Sequence, residues 1–396
     1  MKVLVSNIGS TSFKFRLFDM SNGEREIASG AADRIGGAGG ALKWNVSSGE
    51  AESVPRDFAD HGEAILFVLD RLVAGGALSG ADELDAVAFK VVMGGDCEPV
   101  ALVDDALLAQ VEYFVPVAPV HNPPYIAAMR MFRQVLGATP LVAAFEMGFH
   151  ATMPPRRQLY ACPPAWSEQY GVRRYGFHGA SHRYIATRMA ELMPSARRVV
   201  SCHLGGSSSL CAIRDGKSVA TSMGLSPQSG LPQGTRVGDF DAFGLTLMAA
   251  RTGRGLDDLL AELGTQAGLA AMSGTGGDMR DIEQGAAAGD ARCQLAIDVY
   301  VTAIRDYLGA YLVELGGADA IAFTGGIGQR SPVVRAAVLA GLDFAGIVMD
   351  ADTNERTFDE GRIDAAESRT ALWALPTNEE LIVARLATEL LRKRTT

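Results

Sequence analysis

The chain has 396 residues, of which 48% are hydrophobic and 21% are charged, and its formal net charge is −10. This length exceeds what one hydrophobic core usually supports, and the composition is typical of a globular protein, so we expect two domains. The acidic balance excludes nucleic acid and anionic membranes as principal partners, because their phosphate groups require a basic surface.

The cysteine content and the start of the chain indicate a cellular compartment. The five cysteines form no C-x-x-C pair and are odd in number, which is typical of thiols in a reducing environment. The first strand is predicted to begin at Lys2 or Val3, which leaves no room for a leader, and no apolar run approaches about 18 residues. We therefore expect a cytoplasmic protein.

Residues 3–19 and 199–215 have the same pattern of a short apolar strand, a Gly/Ser turn and a second strand ending in Asp. They align without a gap, which matches Gly9 with Gly205. Such a turn offers backbone N–H groups and hydroxyls to an anion, although each turn alone also fits an ordinary β-hairpin. A repeat half a chain apart predicts two related half-molecules that bind a polyphosphate.

Between and after these hairpins, apolar strands alternate with helical patterns, which predicts an α/β fold. An apolar stripe at 65–72 marks a helix before a strand at 84–92, and the Pro-rich segment 116–124 is predicted to be a loop. The Pro-rich segment 153–164 interrupts the pattern again. We place a domain boundary just before it.

The C-terminal half repeats the α/β scheme. A helix is predicted over 291–315 and a strand over 318–323, followed by G-G-I-G-Q-R-S-P. Ser331 suits the N-cap of the next helix and Pro332 its first position. The glycines therefore lie at a strand-to-helix turn that is a plausible nucleotide contact, although they do not match the G-x-G-x-x-G dinucleotide fingerprint.

Histidines are concentrated in the middle of the chain, where five of the six occur: His121, His150, His178, His182 and His203. His178 and His182 are four residues apart and could share a helix face, as zinc ligands do. However, Gly179 follows the first of them and no Glu occupies the zinc-protease position. We favour phosphate-contacting and structural roles over a zinc site.

A Gly-rich loop at 230–241 contains one arginine, Arg236, among glycines and acids. An arginine on such a loop can approach a transferring phosphoryl group and neutralise the charge on its oxygens. The alternative is a turn in which Arg236 pairs with Asp239 or Asp241.

Two weaker signals lie nearer the C-terminus. In the Gly-rich loop 273–282, Asp278 could accept ribose hydroxyls and Arg280 could reach phosphate or adenine. In T-N-E-E, Thr377 as N-cap and the Glu three residues later form a capping box, which leaves Glu379 available. The carboxylate of Glu379 could bind Mg²⁺, which prefers such oxygen ligands. The alternative is an acidic residue that is favoured at a helix N-terminus by the helix dipole.

Taken together, the motifs resemble those of the acetate kinase family, in the family's order and over nearly the whole chain. They include N-I-G-S-T-S-F-K-F, H-N-P-P, R-R-Y-G-F-H-G-A-S-H, H-L-G, G-T-R-V-G-D-F-D, S-G-T-G-G-D-M-R, F-T-G-G-I-G and P-T-N-E-E-L. The resemblance implies the duplicated, actin-like α/β fold with a nucleotide cleft between two domains. It places the N-terminal domain at 1–147 with 381–396. The C-terminal domain, with the nucleotide site and dimer interface, is then 148–380.

The same resemblance implies a reversible, Mg²⁺-dependent transfer of the γ-phosphoryl of ATP to acetate or propionate, which yields an acyl phosphate and ADP, in a homodimer. Matched position by position, the implied catalytic residues are Arg236, His178, Glu146 and Lys90, and the implied metal ligands are Asn7 and Glu379. The implied pocket for the alkyl group of the acid consists of Val92, Val120, Phe177 and Pro227. The implied nucleotide and phosphate contacts are Ser10, Ser12, Lys14, His203, Gly205, Gly206, Asp278, Arg280, Gly326, Ile327 and Gly328.

The chain also departs from the family pattern near the implied site. Lys90 stands where the family has Arg and Glu146 where it has Asp; the other departures are Met93 for His, Gly206-Ser207 for Asn-Gly and Gln329-Arg330 for Glu-Asn. Lys cannot make the planar bidentate contact that Arg makes. Two alternatives follow. One is a kinase that uses pyrophosphate or phosphate as donor or another small acid as acceptor, and the other is a nucleotide-binding regulator with eroded catalysis.

Overall fold

The computed structural model describes residues 1–9, 11–21, 23–47 and 49–395. They form two compact units, of which unit 1 is Met1–Gly148 with Asn378–Thr396 and unit 2 is Phe149–Thr377. Each unit contains one mixed β-sheet with helices packed against it. In the described part of the chain, no helix combines the length and apolar character needed to cross a bilayer.

The strands divide between the two sheets in chain order. Those of unit 1 are β1 (Lys2–Ile8), β2 (Ser12–Asp19), β3 (Arg25–Asp33), β4 (Ala41–Val46), β5 (Glu52–Pro55), β6 (Ala86–Val91), β7 (Val100–Leu102) and β8 (Leu141–Phe145). Those of unit 2 are β9 (Arg198–His203), β10 (Ser209–Arg214), β11 (Lys217–Thr221), β12 (Ala320–Thr324), β13 (Gly361–Arg362) and β14 (Ala371–Ala374). The sheet orders are β5-β4-β3-β2-β1-β6-β8-β7 and β11-β10-β9-β12-β14-β13.

The helices follow the same division. Unit 1 contains α1 (His61–Ala74), α2 (Asp105–Tyr113) and α3 (Asn122–Leu136). Unit 2 contains α4 (Pro155–Gln158), α5 (Pro164–Tyr170), α6 (Gly179–Leu192), α7 (Phe243–Thr252), α8 (Leu256–Thr265), α9 (Gly268–Ser273), α10 (Met279–Ala287), α11 (Ala291–Leu315), α12 (Gly325–Arg330), α13 (Pro332–Leu339) and α14 (Ala351–Arg356). The chain then returns to unit 1 with α15 (Glu379–Thr395).

Parallel pairing occupies the centre of each sheet. In unit 1, β1 pairs in parallel with β6, and β6 with β8; in unit 2, β12 pairs in parallel with β9 and β14. The carboxyl ends of parallel strands meet at one edge of a sheet, where side chains from separate parts of the sequence come together. In unit 1, Lys90 and Glu146 lie at or near that edge, and in unit 2, His203 does.

Several local predictions are confirmed because the signals were local. Helix α11 spans the predicted 291–315, begins after an N-cap at Asp290 and ends before Gly316, whose φ is +70°. Ser331 caps α13 and Pro332 occupies its first turn, as predicted. Helix α1 is present too, but Leu66 of its apolar stripe is 48% exposed.

Two predictions about helix starts are wrong. The Pro-rich segment 116–124 is not wholly a loop, because α3 begins at Asn122 with two prolines in its first turn. Proline is tolerated there because those N–H groups have no intrahelical partner. At the last helix, Asn378 rather than Thr377 supplies the cap, since its Oδ1 accepts from Leu381 N at 3.1 Å.

The two similar stretches both form antiparallel hairpins, but their registers differ by one residue. In β1–β2, Ile8 is opposite Phe13 across four intervening positions, whereas in β9–β10, His203 is opposite Ser209 across five. The gapless alignment therefore does not preserve cross-strand partners. A shift of one residue turns a side chain to the other face of a sheet.

Candidate active site

The polar cluster of unit 1 lies where three parallel strands end. Lys90 is near the end of β6, Glu146 follows β8, and Glu379 begins α15. The Lys90 Nζ lies 2.5 Å from Glu379 Oε2 and 3.6 Å from Glu146 Oε1. The structure thus brings together three residues that lie far apart in sequence, two of them at positions where the chain departs from the family pattern.

Charge balance dominates this cluster. Burial acts to lower the pKa of the Lys90 ammonium, but the carboxylates of Glu379 and Glu146 outweigh it and hold that pKa well above the ordinary value. The Glu146 side chain is only 5% exposed. A buried carboxylate is tolerated when a cation accompanies it, so Lys90 accounts for the presence of Glu146 here.

Asn7 joins the same cluster through Tyr125. The Tyr125 hydroxyl donates to Asn7 Oδ1 at 3.0 Å. Burial raises the pKa of Tyr125, and the nearby Lys90 ammonium opposes that rise. Asn7 also lines a cavity of about 210 Å³ with Lys14, Arg16 and other residues of β2 and β3. The Asn7 amide is therefore held beside a small polar cavity.

The donors of unit 1 fit Mg²⁺ in chemical type. Asn7 contributes an amide oxygen and Glu379 a carboxylate, and Mg²⁺ prefers a few such oxygens together with water and substrate phosphates. Within residues 1–9, 11–21, 23–47 and 49–395, no group of three or more His, Cys, Asp or Glu is arranged to hold a metal.

The turn of the first hairpin is braced from outside. Gly9 N donates to Ser12 O at 2.8 Å, and His61 Nε2 donates to Gly9 O at 2.9 Å. Ser12 is half-buried and Lys14 is exposed. The predicted contact at Ser10 lies outside the described residues.

The polar cluster of unit 2 is a chain of imidazoles and hydroxyls. His178 Nδ1 lies 2.7 Å from Ser209 Oγ, which also lies 2.9 Å from His182 Nε2. The His178 ring stacks on His203 with centroids 4.2 Å apart. His203 Nδ1 in turn lies 2.7 Å from Ser181 Oγ. His178 and His182, which are four residues apart in the sequence, thus both contact the hydroxyl of Ser209.

His178 adopts an unusual backbone conformation. It precedes α6 with φ +57° and ψ +29°, the left-handed region that residues other than glycine rarely adopt. Behind it, burial lowers the pKa of His182 well below the ordinary value, and burial lowers that of His150 to about 4. Both buried rings are therefore neutral near pH 7.

The turn of the second hairpin is closed by a serine hydroxyl. Ser208 Oγ lies 3.1 Å from Gly205 N and 2.8 Å from the Tyr300 hydroxyl on α11. Gly206 is exposed, and its carbonyl accepts from Gly234 N at 3.0 Å. The turn is thereby attached to the loop that carries Arg236.

Arg236 points its guanidinium toward that turn. Its Nη1 lies 3.1 Å from Gln233 Oε1 and 3.4 Å from both Ser207 Oγ and Pro227 O. Burial lowers the pKa of this guanidinium. Asp239, which the sequence offered as an alternative partner for Arg236, accepts instead from Gly230 N and the Tyr307 hydroxyl. Gln233 was missed by sequence reasoning, because nothing in the local pattern distinguishes it.

The glycines after β12 also contact the second hairpin. Ile327 N and Gly328 N both donate to Leu204 O, at 2.9 and 3.1 Å. Of the implied nucleotide contacts in this turn, Gly326 is exposed and Gly328 is buried. Behind this turn, the fully buried Arg335 donates to carbonyl oxygens of Gly328 and of residues 329, 354 and 357.

The remaining implied contacts are less concentrated. Asp278 caps α10 and pairs with Arg280, whose hydrogen bonds lower the pKa of the Asp278 carboxyl to about 2. Of the residues implied for the acid pocket, Phe177 and Pro227 in unit 2 are buried, whereas in unit 1 Val92 is half-buried and Val120 is 53% exposed.

Comparison with known proteins identifies the family of this chain. Residues 2–385 match the model of the acetokinase family. The acetate kinase of Clostridium botulinum (strain Loch Maree / Type A3) is 40% identical over 399 residues, covering 99% of this chain and 100% of that protein.

Solved structures show the same relationship. The acetate kinase of Porphyromonas gingivalis superposes with a TM-score of 0.89 at 34% identity, over 98% of this chain and 99% of that one. A propionate kinase from Francisella tularensis superposes with a TM-score of 0.91 at 30% identity, over 97% and 98%. The fold is thus the duplicated, actin-like α/β fold of these kinases. The chain belongs to the acetokinase family and is a phosphotransferase with a carboxyl group as acceptor.

Proposed function

We propose that the protein catalyses the reversible, ATP-dependent phosphorylation of acetate or propionate to the acyl phosphate. The observation that supports this proposal most directly is the position of Arg236. Its guanidinium is partly desolvated and lies within 3.4 Å of Ser207 Oγ, in the turn that the sequence predicts to contact phosphate. A charged donor held in such surroundings stabilises developing negative charge more strongly than one in water.

The proposed reaction is a direct in-line transfer. A carboxylate oxygen of the acid forms a bond to the γ-phosphorus, and the bond from that phosphorus to the β–γ bridging oxygen breaks. The electron pair of the broken bond leaves on ADP. Charge on the three equatorial oxygens is met by donors, for which we assign Arg236 and His178 in unit 2.

In unit 1, we assign Asn7 and Glu379 to Mg²⁺, which when bound neutralises charge on the phosphates. Lys90 is assigned to attract the carboxylate of the acid. Glu146, 3.6 Å from the Lys90 Nζ, is assigned to hold that ammonium in place. These assignments follow the family positions, with Lys and Glu in place of Arg and Asp.

We also propose which residues bind the acid and which bind the nucleotide and its phosphates. For the acid they are Val92, Val120, Phe177 and Pro227; for the nucleotide and phosphates they are Ser10, Ser12, Lys14, His203, Gly205, Gly206, Asp278, Arg280, Gly326, Ile327 and Gly328. We further propose that the domains are 1–147 with 381–396 and 148–380, and that the enzyme is a cytoplasmic homodimer. Exposed apolar side chains on α7 and α8, such as Phe243 at 82% and Leu256 at 57%, support self-association.

The test is an acyl hydroxamate assay with acids from formate to butyrate, crossed with ATP, GTP and pyrophosphate. We expect product with ATP and acetate or propionate, and a fall of about 10²- to 10³-fold in Arg236→Ala. Arg305→Ala is the matched control, because that guanidinium also donates to carbonyls but lies on α11 against residues 337–340. If none of the three donors gave product, the proposal would be contradicted. If only pyrophosphate gave product, the alternative donor would be selected.

A nucleotide-binding regulator is the second candidate. It is favoured by the Lys90 ammonium, which lies 2.5 Å from Glu379 Oε2, so that a carboxylate of the chain itself pairs with the cation assigned to the acid. Calorimetric ATP binding without turnover on any of these acids would select it.

A further inference from the structure

Gln233 is a buried amide at the centre of the loop that carries Arg236. It is 1% exposed, and its backbone is fixed by two hydrogen bonds: its N–H donates to Arg236 O at 3.0 Å, and its carbonyl accepts from Leu269 N at 2.9 Å. The amide is therefore placed by the loop and by α9, and its side chain has little freedom to turn away.

The amide of Gln233 makes three contacts, two within its own loop and one to the second hairpin turn. Its Nε2 donates to Pro227 O at 2.8 Å. Its Oε1 accepts from Ser207 Oγ at 2.7 Å and from Arg236 Nη1 at 3.1 Å. An amide oxygen has two lone pairs, so both acceptor positions are used. One side chain thus joins the second hairpin turn, the segment assigned to the acid and the guanidinium assigned to phosphoryl transfer.

The neutrality of this side chain matters as much as its contacts. A carboxylate in the same place would also accept from Arg236, but it would cancel much of the guanidinium charge within a buried environment. An amide directs the guanidinium without neutralising its charge. An apolar side chain of the same size would do neither.

We propose that Gln233 is a positioning residue that directs Arg236 for phosphoryl transfer and connects it to the second hairpin turn through Ser207. The inference rests on the proposed function, because it requires Arg236 to act on the transferred group. It assigns no direct contact with substrate to Gln233.

The first test replaces Gln233 with Met, which keeps the length of the side chain and removes all three hydrogen bonds. We expect kcat for acyl phosphate formation to fall about 10- to 30-fold. The KM values for acid and nucleotide should change by less than about threefold, because ground-state binding is not the function assigned to Gln233. Gln228→Met is the matched control, since Gln228 lies in the same loop with its amide against Gly264.

The second test, Gln233→Glu, separates positioning from a merely structural role. The expected kcat loss is at least about 100-fold near pH 8, where the new carboxylate pairs with Arg236. As the pH falls and this carboxyl becomes protonated, its O–H replaces the amide donor, so relative to wild type the kcat of the variant should recover. A structural defect would not recover on acidification. This variant also keeps the inference testable if Gln233→Met does not fold.

The third test is a double-mutant cycle with Ser207→Ala. If Ser207 acts through the amide, its substitution should lower kcat in the wild type but have little further effect in Gln233→Met. Wild-type kcat in Gln233→Met, additive effects in the cycle, or a pH-independent loss in Gln233→Glu would each overturn the inference. If any of those results were obtained while Arg236→Ala was inactive, only the role assigned to Gln233 would be rejected. If Arg236→Ala remained active, the proposed function itself would be rejected.

Discussion

In unit 1, the cluster at the strand ends is held by formal charges: the Lys90 ammonium lies within 3.6 Å of the carboxylates of Glu146 and Glu379. In unit 2, the cluster at the corresponding strand ends consists of imidazoles and hydroxyls, such as His178 and Ser209, 2.7 Å apart. Each cluster includes a side chain at or near the end of the first hairpin strand of its unit, Asn7 on β1 and His203 on β9, yet one cluster depends on charge balance and the other on hydrogen-bond geometry.

The registers of the two hairpins account for part of this difference. Asn7 on β1 is opposite Lys14, whereas His203, its counterpart in the repeat, is opposite Ser209. The first pair offers an amide and an ammonium, which suit a cation and a phosphate. The second offers a ring and a hydroxyl, which suit a network that fixes positions. Duplication therefore preserved the backbone element while the side chains acquired separate tasks, and substitutions should affect the two units differently.

The largest effect is expected from Glu379→Gln, which removes one charge from the cluster of unit 1. We expect kcat to fall about 100-fold or more, because the Mg²⁺ that neutralises the phosphates loses the carboxylate assigned to hold it. The Mg²⁺ concentration needed for half-maximal rate should rise, which hydroxamate assays at varied Mg²⁺ will measure. Glu380→Gln is the matched control on the next residue, which lies 3.8 Å from Arg16. An unchanged Mg²⁺ requirement in Glu379→Gln would remove Glu379 from the metal site.

Gly325→Ala should destabilise unit 2 at the contact between Gly325 and the second hairpin turn. Gly325 has φ +77°, and an added Cβ would lie 2.5 Å from Leu204 O. Strain and overlap together predict a loss of about 3 kcal/mol in the free energy of unfolding. Gly326→Ala is the control, since nothing lies within 4 Å of its Cβ position. Urea denaturation measures both, and equal losses in the two variants would contradict the role of Leu204.

Acidification should weaken unit 2 through its buried histidines. Burial lowers the pKa of His150 from 6.5 to about 4, so the unfolded chain binds a proton first as the pH falls. The contribution of His150 to the free energy of unfolding is therefore complete above about pH 6.5 and is lost toward pH 4, by about 3 kcal/mol in all.

His150→Gln removes this titration. Urea denaturation between pH 7 and pH 4 should give a shallower decline for the variant than for the wild type. Parallel curves would show that His150 does not titrate in this range.

The smallest effects should come from Lys90→Arg and Glu146→Asp, which each restore one family residue. Either change alone alters the length of one partner in a packed pair and should lower kcat about 10-fold. The double variant restores the matched lengths, so its kcat should return to within about threefold of wild type. Additive losses would show that the two substitutions are independent.

Much of the fold could be predicted because its signals are local. Apolar strands, the Asp and Gly that bound α11, and the Ser-Pro start of α13 all act within a few residues of where they occur. Where local signals competed, prediction was wrong. The prolines near Asn122 read as a loop but occupy the first turn of α3, and Thr377 read as a cap where Asn378 supplies it.

The sequence by itself determined the family, the repeated hairpin and the residue types of the candidate site, because motifs and their order are written along the chain. Only the tertiary structure decided which of those residues touch. Lys90 and Glu379 are 289 positions apart, and Gln233 contacts Ser207, which lies 26 positions earlier in the second hairpin turn. Such contacts depend on how strands and loops pack across a unit, and no local pattern records them. The duplicated hairpin was readable in the sequence, but its one-residue difference in register, and so the different chemistry at each turn, was not.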